Sequence, residues 1–186
     1  IWMSIQDKIS RFIEEMGYLN NEHVLGIFFY GSYFTGLNTA NSDIDLHIIL
    51  DNEDPNHLIR GNKVVDGMRI EYFEKPLEEI YRTVDEDYIN QNNATLTIFG
   101  TSKIIYAKDN HLQQLQEYIV NKYSNPIPPL SDDEAKEQVS ILNNRMEKLK
   151  EYSENDNLYF EHLYHLTIEK IRRFYHRVMG VPRIET

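Results

Sequence analysis

Asp43 and Asp45 stand two residues apart in Ser42-Asp43-Ile44-Asp45-Leu46, and ten residues separate them from Gly31-Ser32. Side chains alternate between the faces of a strand. The two aspartates therefore share one side, while Ile44, Leu46 and Ile48 point to the other, into a core. Carboxylates crowded on one face raise each other's pKa, and a divalent cation removes that conflict. Hard oxygen ligands select Mg²⁺ or Mn²⁺, and Mg²⁺ typically takes one or two carboxylates plus substrate phosphate oxygens. Gly31 lets backbone N–H groups approach an anion closely, and Ser32 adds a hydroxyl donor. A short helix starting after Ser32 would also turn its N-terminus toward a phosphate. A phosphate cradle beside a carboxylate–metal pair is what nucleotidyl transfer requires.

The elements that must hold these residues are readable around them. Val24 to Tyr30 is a continuous apolar run rich in β-formers, a buried strand that Gly31-Ser32 breaks. Tyr33 to Leu37 reads as a short helix or turn, Asn38 to Ser42 as a polar loop, and Ile44 to Leu50 as a second strand. Asp51 to Asn56 is an acidic, proline-containing loop. A third strand lies within Lys63 to Phe73, most clearly at Met68 to Phe73, and Lys103 to Tyr106 is a fourth. Helices are expected over Ser4 to Met16 (apolar residues at helical spacing, with Gly17 to stop it), from Leu77 to Asp85 after Pro76, across Tyr88 to Phe99, and over His111 to Tyr123.

Pro126, Pro128 and Pro129 cannot lie in a helix interior, so residues 124–131 read as a linker. Ser131 with Glu134 is a capping-box signal, and Ala135, Val139, Leu142, Met146 and Leu149 then recur at helical spacing. A last helix spans about Leu158 to Met179, ended by Gly180 and Pro182. The expected organisation is α+β over residues 1–123, the linker at 124–131, and an antiparallel helix pair over 132–186. That pair is incomplete by itself. Further helices are expected from beyond the given chain or from a second copy, which makes a homodimer through this segment one expectation.

The totals exclude several classes. Twenty-six per cent charged residues in a 186-residue chain fit an ordinary globular protein. The formal net charge of -11 and the absence of a long Lys/Arg cluster argue against long nucleic acid as substrate. An acidic surface suits a cationic small acceptor. With no cysteine, disulfides, thiolate metal sites and cysteine nucleophiles are excluded. The first residues show no signal-peptide pattern, and no apolar stretch approaches the ~18 residues of a membrane span. A cytoplasmic protein is expected.

The strand ending Phe29-Tyr30-Gly31-Ser32, followed by Ser42-Asp43-Ile44-Asp45-Leu46, resembles the DNA polymerase β-like nucleotidyltransferase superfamily over roughly the first hundred residues. The helical segment that follows is similar in architecture to the small-molecule branch, which includes aminoglycoside and lincosamide nucleotidyltransferases. The resemblance implies a small mixed sheet flanked by helices. It implies Asp43 and Asp45 as metal ligands and a third carboxylate on a neighbouring strand. Glu71 in Met68-Arg69-Ile70-Glu71-Tyr72-Phe73 is the choice there, as metal ligand or as general base, with Asp66 and Glu74 as runners-up. Gly31 and Ser32 would hold the β- and γ-phosphates, with Ser42 a further nucleotide-side candidate. The implied reaction moves a nucleoside monophosphate, AMP by preference from ATP, to a hydroxyl of a small molecule or a protein side chain and releases pyrophosphate. The alternative is a catalytically silent module of the same fold that works by protein binding, as an antitoxin does.

Plainer readings stand beside these. Ser42 is also an ordinary loop cap. His47 shares the aspartate face, but a strand histidine is more often a hydrogen-bonded structural residue. His162, His165, Glu161 and Glu169 read as a solvated helix face, and Tyr159, Tyr164, Phe174 and Tyr175 as helix packing. Arg172, Arg173 and Arg177 complement a helix C-terminus.

Overall fold

The computed structural model describes residues 4–51, 57–155 and 157–179. The chain divides into two compact units, one of residues 1–88 with 92–124 and one of residues 89–91 with 125–186.

The first unit is built on a five-stranded sheet. Its strands are β1 (Val24–Tyr30), β2 (Ile44–Leu50), β3 (Ile59–Val65), β4 (Met68–Pro76) and β5 (Lys103–Ala107), in the order β3-β4-β2-β1-β5. β2 and β4 run parallel, and the other pairs are antiparallel, so the sheet is mixed. Helices cover both faces. Helix α1 (Ile5–Glu15) starts from a capping box in which Ser4 Oγ accepts the Asp7 N–H at 3.1 Å, and it buries Ile9, Phe12 and Ile13. These pack with Ile27, Ile44, Leu46, Ile48 and Ile70 from one sheet face. Helices α3 (Leu77–Ile89) and α4 (His111–Tyr123) bring Ile80, Val84, Leu112 and Ile119 against Leu25, Phe28 and Ile49 on the other. Burial on both sides is why β1 reads as an unbroken apolar run, whereas β2 alternates through Asp45 and His47 before turning apolar at Ile48-Ile49-Leu50.

Three local readings change. The third strand expected within 63–73 is a hairpin: β3 and β4 are separate strands turning at Asp66-Gly67. β3 was hidden because it is an edge strand with exposed Ile59, Arg60 and Val64, so it lacks an apolar signature. The helix expected across 88–99 is broken. α3 ends at Ile89, Gln91 takes a positive φ, and Asn92 ties the loop by donating to Asp87 at 2.9 Å and accepting from the Ala94 N–H at 3.1 Å. A π-helical turn over Leu96–Gly100 follows and buries Phe99. Beyond Gly31, the short helix is one turn, α2 (Ser32–Thr35). The expectations for residues 1–3, for most of the 51–56 loop and for the stop at Gly180 and Pro182 lie outside the described residues.

The second unit carries α5 (Asp132–Glu154) and α6 (Phe160–Met179), which pack on each other. The capping box at Ser131 is present, with Glu134 accepting from the Ser131 N–H at 2.8 Å. The apolar stripe on α5 is only partly used: Leu149 is buried, whereas Val139 and Met146 are exposed. Among the described residues, no helix is long and apolar enough to cross a membrane.

Candidate functional site

β1 hands the chain to Gly31 at the point where Tyr30 lies opposite Asp45 of β2. Gly31 has φ 78° and ψ −163°, a conformation essentially restricted to glycine. A Cβ built on it would sit 2.0 Å from Asp45 Oδ2 and 2.9 Å from Asp45 Cγ. The missing side chain is thus the space that the Asp45 carboxylate occupies, and the backbone bend and the acid are in direct contact. The parallel register of β2 and β4 sets Glu71 beside Asp45. Asp43 immediately precedes β2, its side chain 18% exposed. The neighbours Asp43 and Asp45 and the sequence-distant Glu71 thus lie on adjoining strand ends beside the Gly31 bend.

Their mutual field is visible in Asp45. Burial, then Glu71, then Asp43 push its carboxyl up to about 6. The Tyr30 hydroxyl is pushed upward as well, by burial first and then by Asp45 and Glu71. A carboxylate whose ionised form burial and like charges oppose is one that a hard cation would stabilise. In kind, a set of three carboxylates is what a hard divalent cation takes. Two of its members are already paired with arginines. Glu71 Oε1 accepts from Arg60 Nη2 at 2.6 Å and from Arg60 Nε at 2.9 Å, and Asp43 accepts from Arg69 Nη2. Among the described residues, no three His, Asp or Glu side chains are gathered as a bound metal would hold them.

The other residues singled out from the sequence divide clearly. Ser42 Oγ accepts the Thr39 N–H at 2.8 Å and so braces the loop that delivers Asp43. Ser32 opens α2 beside Gly31. Asp66 sits in the β3–β4 turn with Arg11 at 2.9 Å, and Glu74 accepts the Tyr18 hydroxyl at 2.7 Å, so both have partners of their own. Arg60 and Arg69 were missed. Arg69 could have been found, because it stands two residues before Glu71 on one strand and so shares its face. Arg60 could not, because β3 carried no strand signal.

His47 is structural, as the plainer reading expects, but among the described residues it is held by packing and not by a hydrogen bond at Nδ1. It is 7% exposed, stacked on Phe73 at 4.9 Å between ring centroids, with Phe99 edge-on at 4.9 Å. Its Nδ1 has no hydrogen-bond partner among the described residues. Burial, then Lys75, hold the imidazole down to about 3 from an ordinary 6.5. The folded ring stays neutral while the unfolded one protonates, so stability falls as pH drops from 6.5 toward 3. Relative to a His47→Phe variant, the protein should lose about 2 kcal/mol more between pH 7 and pH 5, read from urea unfolding at the two pH values. Parallel losses in both proteins would contradict a neutral buried imidazole.

A family model described as polymerase beta, nucleotidyltransferase matches residues 15–111, which span β1 through β5 and every acidic residue of the site. Among solved structures, a nucleotidyltransferase-like protein from Exiguobacterium sibiricum 255-15 is similar at a TM-score of 0.59 and 14% sequence identity. The match covers 95% of this chain and 58% of that one, so the chain spans less than two thirds of that protein's length. The likeness is one of fold. No curated protein matches the chain.

Proposed function

Since the chain belongs to the polymerase beta nucleotidyltransferase family, we propose that it transfers a nucleoside monophosphate, AMP from ATP by preference, to a hydroxyl of a small or protein-borne acceptor and releases pyrophosphate. The observation that carries this reading is the contact between the Gly31 bend and the Asp45 carboxylate, with Glu71 in register beside it. One surface there offers backbone for a triphosphate and acids for a cation.

Asp43, Asp45 and Glu71 would hold a Mg²⁺ or Mn²⁺. When bound, it would offset charge on the phosphates and on the departing pyrophosphate. The chain's own residues do the positioning. Gly31 and Ser32 take the β- and γ-phosphates, and Ser42 fixes the loop that presents Asp43. The acceptor oxygen attacks the α-phosphorus, the bond from that phosphorus to the oxygen bridging it to the β-phosphorus breaks, pyrophosphate leaves with the bridging oxygen, and the acceptor's proton passes to Glu71 acting as general base or, where Glu71 holds the cation instead, to water. Most of the acceleration in such a step comes from orientation. The net charge of -11 supports a cationic acceptor, such as a hydroxylated amine.

The test is incubation with α-labelled nucleoside triphosphates, Mg²⁺ and a panel of hydroxylated amines and proteins, read by mass and label. The reading expects metal-dependent transfer of label to at least one acceptor class, with ATP the best donor. If no triphosphate binds or reacts at millimolar Mg²⁺ with any of the panel, the proposal fails.

A further inference from the structure

Two of the three acids at the site face an arginine of their own chain. Arg60 reaches Glu71 from the edge strand β3, with both its Nε and Nη2 on one carboxylate oxygen. Arg69 reaches Asp43 from β4, two residues before Glu71. Both pairs lie at the surface: the arginine side chains are 67% and 59% exposed, whereas those of Glu71 and Asp43 are only 25% and 18% exposed. The acids are thus held within the protein and the arginines reach in from solvent. Arg60 is further supported by the Phe73 ring, 5.1 Å from its guanidinium carbon. Among the described residues, no arginine pairs with Asp45, which stands between Asp43 and the register partner Glu71.

We infer that Arg60 and Arg69 are internal counter-ions that occupy the carboxylates in the absence of a metal ion and must leave for one to bind, so that the site as folded resists a free cation. The inference rests on the reading of Asp43, Asp45 and Glu71 as the cation-binding acids. Its physical basis is competition. A carboxylate oxygen that accepts two guanidinium hydrogen bonds has its lone pairs engaged and cannot give them to a cation at the same time, and two positive charges beside the acids repel a third. Both effects weaken metal binding, and removing the arginines reverses both. Because the guanidinium side of each pair lies in solvent, the pairs are weak enough to open. An incoming polyphosphate, which offers arginine more anionic oxygens than a carboxylate does, is suited to draw the two guanidinium groups away. The arrangement would make metal occupancy low until nucleotide is present.

The test is Mn²⁺ binding to the full chain without nucleotide, measured from the electron paramagnetic resonance signal of the free ion. Arg60→Gln with Arg69→Gln should tighten Mn²⁺ binding about ten-fold. Arg69→Lys, which keeps a cation beside Asp43, should stay near the unmodified protein. Arg82→Gln, which removes an equally exposed arginine paired with Glu79 and Glu86 on α3, should change nothing. Circular dichroism and thermal unfolding confirm that each variant is folded. Equal Mn²⁺ affinity in the double variant and the unmodified protein overturns the inference. So does equal tightening by Arg82→Gln, which would reduce the effect to net charge. Absence of measurable Mn²⁺ binding in every folded variant, the double variant included, removes the cation-site reading beneath it, and that outcome is distinct from the other two.

Discussion

Asp45→Asn is expected to lower nucleotidyl transfer at least a thousand-fold, about 4 kcal/mol of transition-state stabilisation, in a protein that remains folded. Asparagine keeps the shape that fits against Gly31 but supplies no negative charge, and the role assigned to Asp45 is electrostatic. The variant has a second signature. The Asp45 carboxyl is harder to ionise folded than unfolded, its value raised from 3.8 to about 6 by burial, Glu71 and Asp43. Stability is therefore lost as pH rises between those values, and the cost is fully present at pH 7. The group is partly solvated, so the discounted cost is on the order of 1 kcal/mol. Without metal, Asp45→Asn should melt slightly higher than the unmodified protein. With millimolar Mg²⁺ and nucleotide the order should reverse, because only the unmodified chain gains stability from a bound ligand. Thermal unfolding under the two conditions checks this, alongside the rate. An active Asp45→Asn enzyme, or one with the same ligand-induced melting shift, would contradict the assignment.

Gly31→Ala should cost both stability and activity. The backbone at φ 78° and ψ −163° is one that alanine adopts only with strain, worth about 1–3 kcal/mol. Its Cβ would also lie 2.0 Å from the Asp45 carboxylate, which must then move. The destabilisation expected from unfolding curves is about 2–4 kcal/mol. A displaced Asp45 and a filled approach for phosphate should together lower the transfer rate at least a hundred-fold. Gly36→Ala is the control. Gly36 also has a positive φ, 75°, but a Cβ there meets nothing within 4 Å, so it should show the strain without the loss of rate. Equal effects on rate at the two glycines would mean that contact with Asp45 is irrelevant.

The acids and the bend were legible because they are local. Gly31-Ser32 breaks an apolar run, and Asp-x-Asp opens another, so period and spacing alone place them. Glu71 required the family resemblance, which implies a third carboxylate on a neighbouring strand, and then alternation to pick it within Met68 to Phe73; the parallel pairing of β2 with β4 puts it next to Asp45. What could not be read was whatever depended on an element without an apolar signature. β3 is an exposed edge strand, so Arg60, which reaches Glu71 from it, left no trace. His47 was legible as structural, but not the way it is held. Its neighbours Phe73 and Phe99 come from distant segments, and a histidine enclosed by aromatic rings is invisible to a period-two pattern. The break after Ile89 depended on Asn92 bonding back to Asp87, a side-chain tie that competes with helix.

The most direct test of the account is a crystal structure of the chain with Mg²⁺ and a non-hydrolysable ATP analogue. It should show a cation shared by Asp43, Asp45 and the analogue's phosphates, the triphosphate along Gly31 and Ser32, and Arg60 and Arg69 withdrawn from the acids. A nucleotide bound away from the Gly31 bend, or a cation at the site of some other carboxylates, would contradict it.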